Sequence, residues 1–101
     1  MCYGLTQQTL KDIIGVFTQY QEVEQAVLYG SRAKGNYRQG SDIDITLKGA
    51  PLNMTLLFKI MEQLERLDLP YQIDLSLYTQ IENISLLEHI ERVGQVIYQR
   101  H

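Results

Sequence analysis

At 101 residues, 45% of them apolar and 21% charged, the sequence has the size and composition of one globular domain with a single modest core. A net charge of −3 argues against direct nucleic-acid binding, and the lone cysteine, Cys2, cannot form an internal disulfide and suits a reducing compartment in a bland role. With no secretory leader, no basic amphipathic helix and no long apolar run, the expectation is one cytoplasmic domain spanning residues 1–101, without a membrane anchor.

Thr6 to Tyr20 is the first expected helix, with Leu10, Ile13, Ile14, Phe17 and Tyr20 or Gln21 at helical spacing and Thr6 as its cap. Gly15 is its weak point, since an interior glycine costs about 1 kcal/mol relative to alanine. A polar turn over 21–24 leads to an apolar run, from Val23 or Gln25 to Tyr29, that predicts a buried strand stopping at Gly30. Residues 31–36 predict a short helical turn, and Asn36, Gln39 and Gly40 a loop. Ser41 to Lys48 alternates polar with apolar. As a strand it sets Asp42 and Asp44 on one face and Ile43, Ile45 and Leu47 on the other. Gly49-Ala50-Pro51 then breaks the strand.

Asn53 caps a second helix, Met54 to Leu67, with Leu57, Ile60, Met61 and Leu64 as its apolar stripe and Asp68-Leu69-Pro70 as its end. Tyr71 to Tyr78 is the third strand: Ile73, Leu75 and Leu77 point one way, Gln72, Asp74 and Ser76 the other. Ser85-Leu86-Leu87-Glu88 has the form of a capping box and opens a last helix with Leu86 or Leu87, Ile90 and Val93 inward. Two readings compete for its end. The helix runs on through Ile97, or Gly94 serves as C′ and Gln95 to Tyr98 is an edge strand. The second is preferred, because Arg92 sits in the last turn and Val96-Ile97-Tyr98 is rich in β-formers.

This order predicts an α+β fold: a small mixed sheet of three or four strands packed by helices on one face. A helix between the second and third strands makes them parallel, whereas the link over 30–40 leaves the first pair's direction open.

The chemistry concentrates in Gly30 to Ile45. Any one aspartate is best read as the solvated side of a sheet. Three at matching phase, Asp42, Asp44 and Asp74, are harder to explain that way, because aspartate is a poor strand former and like charges repel. A divalent cation resolves the repulsion, and oxygen ligands without His or Cys suit Mg²⁺ or Mn²⁺. Ahead of them, the Gly30–Ser31 turn offers backbone N–H groups and a hydroxyl to phosphate. Arg32, Lys34 and Arg38 follow it and read either as phosphate contacts or as solvated surface charges. No Walker loop is present. Tyr29, Tyr37, Tyr71 and Tyr78 are read as packing more readily than as base-stacking groups. His89, expected to be exposed, and the terminal His101 receive no role.

Gly30-Ser31-Arg32-Ala33-Lys34-Gly35 followed by Ser41-Asp42-Ile43-Asp44-Ile45 resembles the G-S-x-x-x-G…S-D-[IL]-D signature of the polymerase-β-like nucleotidyltransferase superfamily, and more narrowly its minimal nucleotidyltransferases (MNT). The resemblance implies a palm-type sheet, Gly30 and Ser31 on the triphosphate of ATP, and Asp42 and Asp44 as Mg²⁺ ligands. Asp74 would complete the metal site or assist deprotonation of the acceptor. It further implies transfer of AMP to a hydroxyl, and an antitoxin paired with a HEPN-domain toxin. That antitoxin would work by AMP transfer to a toxin tyrosine or, alternatively, by occluding the toxin without catalysis. Size points the same way: 101 residues are expected to supply a catalytic palm and no second domain, so the acceptor is expected to bring its own surface, in a hetero-oligomer or a homodimer.

Overall fold

The computed structural model describes residues 3–100. Met1, Cys2 and His101 lie outside the described residues, and with them the readings of Cys2 and His101. The elements run α1 (Gln7–Phe17), β1 (Gln25–Tyr29), α2 (Ser31–Lys34), β2 (Ile43–Lys48), α3 (Met54–Glu65), β3 (Ile73–Leu77), a 3₁₀ turn (Tyr78–Gln80), α4 (Ile84–Val93) and β4 (Gln95–Gln99).

Caps set the helix starts. Thr6 accepts a hydrogen bond from the N–H of Thr9, and Asn53 from that of Leu56. At α4 the capping-box expectation is corrected: the cap is Asn83, whose side chain accepts from the N–H of Leu86, and Ser85 lies inside the first turn. Two cap-forming residues stand two apart, and the asparagine upstream takes the orphan N–H first. At the other end Gly94 does stop the helix and β4 follows. Its φ of −60° is ordinary, however, so it is not a left-handed C′ glycine. Glycine is required there for space, because a Cβ would run into the Ile90 carbonyl and lie 2.8 Å from a Val27 methyl.

The four strands order as β3-β2-β1-β4, with β2 and β3 parallel and β1 antiparallel to both β2 and β4. The sheet is therefore mixed and four-stranded. Ala26, Leu28, Ile43, Ile45, Leu47, Leu75 and Leu77 line one face and pack with Ile13, Val16 and Phe17 of α1 and Leu57, Ile60 and Leu64 of α3. The expectation that helices cover one face alone holds for α1 and α3 only. Val27 and Tyr29 point the other way and pack with Ile90 of α4, together with Leu86, Tyr78 and Ile81. Only the β1 side of that second face is covered. The acids of β2 and β3 therefore share the face that α4 covers only in part.

Candidate functional site

Cross-strand register sets out the site row by row. Tyr29 of β1 is opposite Asp44 of β2, and Asp44 is opposite Asp74 of β3. Directly paired residues share a face, so phenol, carboxylate and carboxylate stand side by side on the face that α4 partly covers. The next row inward is Val27, Thr46 and Ser76. Thr46 is buried and its hydroxyl donates to the Ser76 carbonyl at 3.4 Å. Asp42 is the exception to the predicted strand: β2 begins at Ile43, leaving Asp42 exposed in the segment just ahead of it.

The electrostatics follow from this arrangement. Partial burial pushes the Asp44 carboxyl above its ordinary value, and the charges of Asp74 and then Asp42 push it further. Burial likewise raises the Tyr29 phenol. Asp74 and Asp44 add to that rise, while the Ser76 hydroxyl works against it. Among the described residues the ion pairs are Arg66–Glu62 and Arg100–Glu24, and neither includes one of the three aspartates.

The turn after β1 closes on Asp44 from the other side. Gly30 has φ 77° and ψ −156°, backbone that only glycine adopts at ease, and a Cβ there would collide with Oδ2 of Asp44. From that corner the chain enters α2, with the Lys34 N–H on the Gly30 carbonyl (3.1 Å) and the Gly35 N–H on the Ser31 carbonyl (2.9 Å). Ser31 is half-buried at the lip of the turn. The Gly30 N–H, past the end of the strand ladder, donates to Nε2 of His89 on α4 at 3.0 Å. His89 is thus half-buried at the site and not exposed, and its ring stands edge-on to Tyr29 with 6.2 Å between centroids. Local sequence held no signal for this contact, because 59 residues separate the partners.

The three basic residues divide. Arg32 is only 2% exposed. Its Nε and Nη2 donate to the Ser41 carbonyl at 3.1 and 2.8 Å, and its Nη1 to the Tyr3 carbonyl at 2.8 Å. The guanidinium also lies over the rings of Tyr71 (4.7 Å) and Tyr37 (5.4 Å). This corrects its candidacy for phosphate, since its donors are committed to bracing the loop that carries Asp42. Lys34 and Arg38 are exposed, and neither is ion-paired among the described residues. The loop is tied again at Ser41, whose hydroxyl accepts from the Arg38 N–H at 2.8 Å.

Of the other tyrosines, Tyr71 packs against the main core while Tyr37 is exposed. Tyr78 donates to Glu91 at 2.6 Å and lies under the Lys48 ammonium at 4.4 Å, joining the 3₁₀ turn to α4 and β2. Two cavities of about 310 and 350 Å³ lie elsewhere. One is lined by Met61, Leu64, Tyr71 and Ile73 among others, the second by Gly4, Arg32, Tyr37 and Tyr71 among others. Neither is lined by Asp42, Asp44, Asp74, Gly30 or Ser31.

The donor set fits a hard divalent cation in a particular way. It is all oxygen, uncompensated, and crowded by a glycine turn with no side chain of its own. Among the described residues, however, no three acidic, His or Cys side chains converge closely enough to enclose an ion alone. The expected three-acid cage is therefore not preformed. Such a set suits an ion that takes one or two carboxylates and completes its sphere with phosphate oxygens and water, as Mg²⁺ does.

Comparison with known proteins follows the same lines. A family model described as polymerase beta, nucleotidyltransferase, matches residues 11–101. Among curated proteins no sequence match reaches significance. Among solved structures the chain is similar to one in a toxin–antitoxin crystal structure with AMP-PNP. That match has a TM-score of 0.72 at 21% identity and covers 91% of this chain and 74% of the other. A second match lies in a tri-AMPylated Shewanella oneidensis HEPN toxin in complex with its MNT antitoxin, with a TM-score of 0.68 at 19% identity over 95% and 74% of the two chains. A third is in an MntA–HepT toxin–antitoxin structure, with a TM-score of 0.69 at 19% identity over 94% and 74%. At these identities the likeness establishes the fold. Among the described residues no helix is long and apolar enough to cross a membrane.

Proposed function

The chain belongs to the polymerase beta nucleotidyltransferase family, and from that premise we propose that it transfers AMP from ATP to a hydroxyl, a tyrosine of a HEPN-domain toxin, and so acts as that toxin's antitoxin. The observation that carries this reading is the Asp44–Asp74 pairing, two uncompensated carboxylates face to face beside a turn that excludes any side chain. The partner is supported by similar folds found in toxin–antitoxin structures, one of them with a tri-AMPylated HEPN toxin.

Each residue has a part. Gly30 lets the triphosphate approach the backbone, and Ser31 offers it a hydroxyl. Lys34 and Arg38, exposed on the segment after the turn, would add positive charge available to phosphate. Asp42, Asp44 and Asp74 would hold Mg²⁺ or Mn²⁺, which when bound neutralises phosphate charge and makes the acceptor hydroxyl more acidic. In the transfer, the acceptor oxygen bonds to the α-phosphorus as the bond from that phosphorus to its bridge oxygen breaks. Pyrophosphate leaves with that bridge oxygen. The hydroxyl proton passes to Asp74, the more exposed of the facing carboxylates.

The test is ATP labelled at the α-phosphate, incubated with Mg²⁺, this chain and its HEPN-domain partner. Label should reach a tyrosine of the partner and vanish with Asp42→Asn combined with Asp44→Asn. Transfer that survives the double variant unchanged would overturn the catalytic reading. Toxin neutralisation that persists in a variant unable to transfer would favour occlusion by a non-catalytic antitoxin.

A further inference from the structure

We propose that His89 is a positioning residue that holds the Gly30–Ser31 turn in the conformation that receives the triphosphate; this rests on the phosphate-binding reading of that turn. Strand pairing of β1 ends at Leu28 toward β4 and at Tyr29 toward β2. The next N–H, that of Gly30, is half-buried and would be left without an acceptor by the sheet. His89 Nε2 takes it at 3.0 Å, from a helix that is far away in sequence and adjacent in space. To accept, Nε2 presents its ring lone pair to the Gly30 N–H. The ring is held edge-on to Tyr29, the phenol in the same row as Asp44 and Asp74.

The need for an anchor follows from the residue it anchors. A glycine visits positive and negative φ with similar ease, so nothing intrinsic holds Gly30 at φ 77° and ψ −156°. A turn that wanders presents Ser31 to the triphosphate only part of the time, and affinity falls by that fraction. The contact to His89 selects one conformer. It also ties α4 to the acid row through two successive residues, Tyr29 and Gly30.

Three variants and two measurements test the inference: MgATP affinity by calorimetry, and hydrogen exchange at the Gly30 amide in the nucleotide-free protein. His89→Leu keeps the bulk and removes the acceptor. It should weaken MgATP binding about fivefold, the effect of one lost hydrogen bond, and unprotect the Gly30 amide. His89→Gln places an amide oxygen where Nε2 stood and should restore both to within about twofold of the native protein. Ser31→Ala should weaken MgATP binding while leaving the Gly30 amide protected. His89→Leu with native affinity and a protected amide would overturn the role of His89 and leave the turn's own role standing. His89→Leu and His89→Gln weakened alike would also overturn it, as generic damage to α4. A native protein that binds no MgATP would bring down the phosphate reading and this inference together.

Discussion

Replacing Arg32 by lysine keeps the charge and removes the fork. The guanidinium makes three hydrogen bonds to two carbonyls, those of Ser41 and Tyr3. A lysine ammonium is a point donor on a different stem and reaches one of them. Two bonds from a charged donor, each worth about 1.5–3 kcal/mol, are lost, and one carbonyl is left short of a partner. Local relaxation of the loop around the smaller head group offsets part of this, which leaves a net cost of about 2–4 kcal/mol. For a domain of this size that is a fall in melting temperature of roughly 10–25 °C. The assay is thermal unfolding of the native protein and Arg32→Lys side by side, with MgATP affinity measured at a temperature where both are folded. Affinity should fall by no more than about threefold, through slight displacement of Asp42 on the braced loop. A variant that melts within about 2 °C of the native protein yet loses tenfold in MgATP affinity would refute the brace and return Arg32 to the phosphate.

Asp44→Asn should stabilise the metal-free protein at neutral pH by about 0.2–1 kcal/mol, the cost of like charges directly opposed across strands, while abolishing Mg²⁺-dependent ATP binding. The sign with pH follows from the raised Asp44 carboxyl: the folded state takes up its proton before the unfolded chain does. That contribution to stability is therefore complete below the ordinary carboxylate value and lost as pH rises through the folded pKa, so the gap between variant and native should close on acidification; denaturant melts across pH check it, and a gap unchanged by pH would sink it. Gly30→Ala should cost about 1–3 kcal/mol from backbone strain alone and displace Asp44, with loss of MgATP binding; full binding in a stable variant would show that the turn relaxes harmlessly. Gly94→Ala meets no φ penalty, so its cost, about 1–3 kcal/mol by chemical denaturation, should come from steric pressure on Ile90 and Val27.

Much of this arrangement was legible in the sequence, for reasons that are local or periodic. Alternation over Ile43–Lys48 and Ile73–Leu77 assigns every side chain to a face, and the helix between the strands makes them parallel, so Asp44 and Asp74 had to share a face. Direct opposition was one further step of register, which alternation alone does not supply. What escaped was long-range or a competition between equals. Asn83 and Ser85 both carry cap chemistry, and only the backbone path out of the 3₁₀ turn decides between them. The side taken by α4 depends on whether Val27 and Tyr29 need cover, which a run of four apolar residues in β1 conceals, since every position looks inward-facing. Arg32 showed a charge and not its surroundings; an arginine followed by Tyr37 at a distance, with Tyr71 on another strand's approach, gives no hint of stacking.

The order β3-β2-β1-β4 puts Asp74 on a border strand and Asp44 on its inner neighbour. With α4 resting against β1, Asp44 is half-buried and Asp74 at the border is exposed, a ledge open on the β3 side. A ledge gives a nucleotide base little to grip and leaves bulk water free to compete for any activated phosphorus. Under the proposed function, a partner docking over β3 would supply the missing wall, and drying the reaction zone and choosing the recipient would become a single event.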